Sequence, residues 1–131
     1  MILTVCVDDR MGISFGGRRQ SKDTEVRRKL WELSGGNLRM SDYSARQFDE
    51  SVYHGSDYLS GAKKGHWCFA ENSDYEDFAE NIEKIVLFRW NRHYPADAHF
   101  RFPGKWALTA SEEFPGSSHE KITMEVYERC D

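Results

Sequence analysis

Residues 2–7, Ile-Leu-Thr-Val-Cys-Val, form an unbroken run of mostly apolar, β-favouring side chains. Successive side chains of a strand point to opposite faces, so a strand with one face in water alternates apolar and polar residues. This run does not alternate. Both of its faces need cover, which places it at the centre of a sheet. Downstream, HWCFA at 66–70 is a second buried-strand candidate, and IVLFRW at 85–90 carries the strongest strand signal in the chain.

Helical patterns separate these runs. From Ser21 to Leu33, the residues Val26, Leu30 and Leu33 recur at helical spacing; Ser21 or Asp23 can cap the start, and Gly35-Gly36 ends the helix. The stretch before it, DDRMGISFGGRRQSKD, is polar and glycine-rich and reads as a long loop. Residues 37–40 fit a short strand, and Ser44-x-x-Gln47 is a capping-box pattern for a short helix carrying Phe48. Residues 51–65 read as a surface loop. Ser73-x-x-Glu76 is a second capping box, after which Tyr75, Phe78, Ala79 and Ile82 share one helical face. Beyond the loop HYPADAHFRFPG, WALTASEEF and KITMEVYER alternate. Trp106, Leu108 and Ala110 fall on one face, as do Ile122, Met124 and Val126, and PGSSHE joins the two as a hairpin. The order predicts a three-layer α/β fold with a mostly parallel central sheet and an antiparallel C-terminal hairpin, one domain over residues 1–131.

Apolar residues make up 39% of the chain and aromatics 14%, enough to close one core despite a mean hydropathy of −0.74. The net charge of −4 comes from 22 acidic and 18 basic residues mixed along the chain, with no basic stripe to neutralise a phosphate backbone, so nucleic acid is a disfavoured partner. The start of the chain lacks the pattern of a signal peptide, and no run of 18 apolar residues exists to span a membrane. Cys6, Cys68 and Cys130 are odd in number and without CxxC spacing, which fits a reducing cytosol. The five histidines, His54, His66, His93, His99 and His119, show no zinc-binding pattern and read mostly as surface residues. Asp8 and Asp9 are adjacent in a strand and therefore diverge, so no metal site is expected.

The order of the pieces, with two local matches, resembles the dihydrofolate reductase family. CVDDRMGISFGGRRQSKD stands where that family has an acidic pair, a Gly-Ile, a glycine-containing loop and the helix with the catalytic carboxylate. IVLFRWNRHYPADAHFRFPGKWALTASEEF and ITMEVYER stand where it has its closing strands. The resemblance covers roughly residues 1–50 and 66–130, and it implies that the strands bearing Cys6 and Cys68 are neighbours. The cofactor motifs differ. Arg18-Arg19-Gln20-Ser21 replaces the family's Pro and Trp before the helix, and Ser41-Asp42-Tyr43-Ser44 replaces its Gly-Arg-x-Thr. Where the family has a Gly-Gly pair that admits a pyrophosphate, this chain reads CFAEN, so Ala70 and Glu71 add bulk and negative charge. The middle of the domain is reduced to 51–65. The departures imply that no NADPH, and no other cofactor, is held.

The resemblance makes Asp23 or Glu25 the proton-handling carboxylate. Asp23 is the preferred candidate, the alternative being an ordinary carboxylate at the positive end of a helix. Glu71 follows a buried strand, at the edge where open α/β sheets bind ligands, and is the second catalytic candidate. Arg18 and Arg19 can grip an anion, or be a solvated surface pair; Gln20 would be a neutral partner, and Asp42 a further ligand contact. The expected function is a small-ligand-binding or regulatory protein on a degenerate reductase scaffold, its ligand small and polar or anionic. Whether it is an enzyme stays open. Alternatives are an NADPH-dependent reductase of a pterin or flavin-like substrate, an RNA-cleaving enzyme or toxin using Glu71 and His93, and a homodimer formed through an exposed sheet edge.

Overall fold

A computed structural model describes residues 1–130; Asp131, the last residue of the expected domain, lies outside the described residues. Strand β1 (Ile2–Val7) lies between β6 (Trp67–Phe69) and β7 (Lys84–Arg89), parallel to both, with Leu3 opposite Cys68 on one side and Ile85 on the other. Beyond β6 come β4 (Leu38–Met40) and β5 (Tyr53–His54), also parallel. Beyond β7 the direction reverses: β10 (Ile122–Arg129) is antiparallel to β7 and to the outermost strand, β9 (Trp106–Phe114). The result is a mixed seven-stranded sheet in the order β5-β4-β6-β1-β7-β10-β9, parallel over five strands and closed by an antiparallel pair.

Each face of β1 is covered, as its unbroken apolar run requires. Leu3, Val5 and Val7 share one core with Ile85, Leu87 and Cys68, under Tyr75, Ile82, Tyr58, Leu59 and Phe100. Cys6 joins the other with Phe69, Val86 and Phe88, under Val26 and Leu30 of helix α1 (Thr24–Ser34). Each fully buried apolar side chain of this kind contributes about 1.5–3 kcal/mol. The strands of Cys6 and Cys68 are neighbours, yet the two thiols lie in different cores on opposite faces. Helix α1 ends where its sequence says it should, at Gly35 with φ +59°, a left-handed conformation that glycine adopts without penalty.

Several stretches read as loops contain strands. Residues 12–19 form a hairpin of β2 (Gly12–Phe15) and β3 (Arg18–Arg19), turned at Gly16-Gly17 with φ +59° and +74°, the positive-φ pair that a tight two-residue hairpin demands. Together with β8 (Ala98–His99) it makes a second, three-stranded sheet. Neither capping box forms. Helix α2 (Asp42–Ala45) starts one turn early on Ser41, and residues 74–81 form a 3₁₀ segment kinked at Phe78, without a side-chain cap from Ser73. Alternation in β9 does not mark a covered face: Leu108 is 52% exposed, and both faces of the strand meet solvent along most of its length. His119, read as a surface residue, is buried.

Candidate functional site

Parallel strands deliver their C-terminal ends to one edge, and here three of them do so together. Asp8 follows β1, Ala70 and Glu71 follow β6, and Trp90 follows β7. The β2–β3 hairpin folds over this edge and brings Arg19, Gln20 and Ser21 down to it. Cys6, Ile13, Ala70 and Trp90 form the apolar walls of the resulting cleft; Arg19, Gln20, Ser21 and Glu71 are its polar ones. Its free volume is about 10 Å³, the lower limit for a single water molecule.

An ion pair fills the space. Arg19 Nε donates to Glu71 Oε2 at 2.9 Å and Nη2 to Oε1 at 3.1 Å, the two-point geometry that matches a guanidinium to a carboxylate. Glu71 is saturated further by Ser44 Oγ at 2.7 Å and Gln47 Nε2 at 3.2 Å. Tyr43 flanks the arginine: its ring lies 4.3 Å from the guanidinium carbon, its carbonyl accepts from Nη2, and its hydroxyl accepts the Arg19 backbone N–H. Although burial pulls the Arg19 guanidinium down, the hydrogen bonds and charge of Glu71 outweigh it and raise its pKa above the ordinary value. Burial, with Glu71 and Asp23 nearby, pushes the Cys6 thiol well up, against the opposing pull of Arg19.

Asp8 organises the roof. Its buried carboxylate accepts from the backbone N–H of Gly12 (2.7 Å), Arg10 (2.9 Å) and Tyr94 (3.1 Å) and from Gln20 Nε2 (3.1 Å). Burial acts to raise its pKa, but these donors prevail and hold it below the ordinary carboxylate range. A side chain at Gly12 would put Cβ 2.6 Å from that of Ala96 and 2.7 Å from Gln20 Nε2, so this close approach requires glycine.

Beside the cleft lies a second polar cluster. Asp23 caps α1 by accepting the Glu25 N–H at 2.9 Å, and also accepts the backbone N–H groups of Ser117 and Ser118, each at 2.9 Å. His119 Nδ1 is 3.0 Å from Asp23 Oδ2, while Nε2 is 2.9 Å from the Tyr94 hydroxyl and 3.2 Å from Ser21 Oγ. The imidazole stacks on Trp90 at 4.6 Å between centroids. Burial works against ionisation of Asp23, yet the donors from Ser117, His119, Ser118 and Glu25 hold its pKa far below the usual value.

Of the residues singled out from sequence, Arg19, Gln20 and Glu71 meet at the cleft. Asp23 commits its oxygens to the loop 115–119 and does not line the cleft, and Glu25 pairs with Arg28 on the outer surface of the helix. Arg18 is exposed in β3, and exposed Asp42 pairs with His54 at 2.6 Å, outside the cleft. His93 is exposed and does not join Glu71 there. Sequence reasoning missed Ser21 as a cleft residue, and it missed Ser44, Gln47 and His119. The available signal for His119 was the run Pro-Gly-Ser-Ser-His, too rich in small donors for a plain hairpin turn. Among the described residues no group of three or more His, Cys, Asp or Glu is arranged to hold a metal ion, and no helix is long and apolar enough to cross a membrane. No family model matches the chain, and no curated protein is significantly similar to it.

Proposed function

We propose that this chain is a small-ligand-binding or regulatory protein on a single, abbreviated dihydrofolate reductase-like domain that has no intact NADPH site, working in the reducing cytosol. The order of elements supports the scaffold reading, with the Cys68 strand beside β1 and an antiparallel pair closing the sheet. The observation that carries the functional reading is the two-point Arg19–Glu71 pair at the carboxyl edge of β1 and β6. A guanidinium already holding a carboxylate, backed by Ser44 and Gln47, has the geometry by which a small carboxylate or phosphate-like group is gripped, with Glu71 as the internal occupant it must displace. Calorimetric titration tests this. A small dicarboxylate or inorganic phosphate should bind the Glu71→Ala variant at least tenfold more tightly than the wild type, and Arg19→Ala should bind neither. Micromolar NADPH affinity with loss of its absorbance on a pteridine would instead make the protein a reductase.

The proposed partner along the open edge is a second copy. Among the described residues strand β9 has no neighbour on its outer side, and residues 106–111 carry no charge. An antiparallel copy centred on Ala110 sets Glu112 and Glu113 opposite Leu108 and Ala107, so no like charges meet. Sedimentation over a range of concentrations should show a monomer–dimer equilibrium that Ala110→Lys abolishes; a strictly monomeric wild type removes this partner.

A further inference from the structure

His119 plays no part in the ligand reading above, and its surroundings are those of a general base. Its side chain is 1% exposed and held between Asp23 and two hydroxyls. Asp23 is an acceptor for three backbone N–H groups, and its carboxylate can only accept from the imidazole as well. In the neutral ring Nδ1 therefore carries the proton, and the lone pair of Nε2 faces Ser21 Oγ at 3.2 Å and the Tyr94 hydroxyl at 2.9 Å. Stacking on Trp90 fixes the plane of the ring. Ser21 is partly exposed and lines the cleft, so the chain Asp23–His119–Ser21 runs from a buried carboxylate to an accessible hydroxyl.

We propose that Ser21, His119 and Asp23 form a nucleophile, base and positioning residue for acyl transfer from small esters. Ser21 Oγ attacks the ester carbonyl while its proton passes to His119 Nε2, forming the Oγ–C bond. Collapse of the tetrahedral intermediate breaks the ester C–O bond, and the departing oxygen takes that proton from Nε2. Water, deprotonated by the same nitrogen, then attacks the acyl-serine; the Oγ–C bond breaks, Ser21 Oγ recovers the proton from Nε2, and the acid is released. The cleft beside Ser21 has room for no more than a water molecule, so an ester carbonyl reaches Oγ only from its partly exposed side, and a short acyl group such as acetyl meets the least obstruction there. The three contacts would also suit a helix cap and loop clasp with no chemistry, and the two roles separate by experiment.

The full chain is incubated with p-nitrophenyl acetate, nitrophenolate release is followed, and the acetylated peptide is mapped by mass spectrometry. Acetyl on Ser21 is the expected result, with Ser21→Ala lowering the rate by about 10²–10⁴-fold at an unchanged melting temperature. Tyr94→Phe removes the competing hydroxyl at Nε2 and should keep the Ser21 adduct, which excludes tyrosine as the reacting group. Asp23→Asn retains a capping oxygen but admits the other tautomer, so kcat should fall with KM unchanged. No acetyl on Ser21, an undiminished rate in Ser21→Ala, or a kcat unaltered by Asp23→Asn would each overturn the triad. The ligand reading is read by calorimetric anion binding and the triad by acetyl on Ser21, two separate readouts, so failure of one proposal is distinguishable from failure of the other.

Discussion

Asp23 shows how much one side chain can be asked to hold. Its two oxygens serve the first turn of α1, two backbone amides of a loop more than ninety residues away, and the His119 ring. Asp23→Ala strands all of these buried donors, and a loss of about 3–5 kcal/mol is expected in urea unfolding at pH 7, the range for breaking a buried charged network. The sign with pH follows from the direction of the shift. Asp8 and Asp23 both titrate below the ordinary carboxylate range when folded, so the stability they add is present above about pH 4 and is lost as pH falls toward their folded values. Urea midpoints should fall from pH 6 to pH 3, less steeply in Asp8→Asn than in the wild type. The thiols give a separate test. Burial pushes Cys68 up to about 11 and Cys6 well above its ordinary value, whereas Cys130 is exposed. At pH 8 a disulfide reagent should titrate one thiol in the native protein and three after denaturation.

At the scale of elements, the loop between β9 and β10 depends on a glycine for its contact with α1. A side chain at Gly116 would place Cβ 2.5 Å from Asp23 Oδ2 and 2.8 Å from the His119 carbonyl. Gly116→Ala should cost about 1–3 kcal/mol by overpacking, visible as a lower melting temperature. The elements legible in the sequence are those whose own residues settle them: β1, β6 and β7 by their apolar runs, β4 as a short strand, β9 and β10 by their alternation, and α1 by its spacing and its Asp23 and Gly35 ends. The others are decided by distant partners. The hydroxyl of Ser44 meets Glu71, and Ser41 caps the helix that Ser44 was expected to start. Asn72 accepts the Asp74 N–H where Ser73 was expected to cap. Strands β2 and β8 are only two to four residues long, too short to carry a period of their own, and they pair with each other from opposite ends of the chain. Of the candidate site, Glu71 was legible because it follows a buried strand, and Arg19 because it stands just before the start of α1. The burial of His119 was not, since Asp23, Tyr94 and Trp90, which enclose its ring, all lie outside its own loop.

For the molecule as a whole, protection should grade outward from the centre of the sheet. Strands β1 and β7 are paired on both sides and covered on both faces, while β9 is paired on one side and exposed on both. Hydrogen exchange should therefore be slowest at the amides of β1 and β7 and fastest along the outer edge of β9; uniform protection would contradict the single-layer character of that edge. The position of β1 has a consequence for folding order. Its two neighbours, residues 67–69 and 84–89, come from far down the chain, so the strand has no sheet partner until the first arrives and is not paired on both sides until the second does. Closing loops of that size precedes any reward from pairing, which sets a slow refolding step. A chain interrupted before Lys84 leaves β1 with one edge bare and apolar, a template for aggregation, so truncations on that side of β7 should accumulate as insoluble protein.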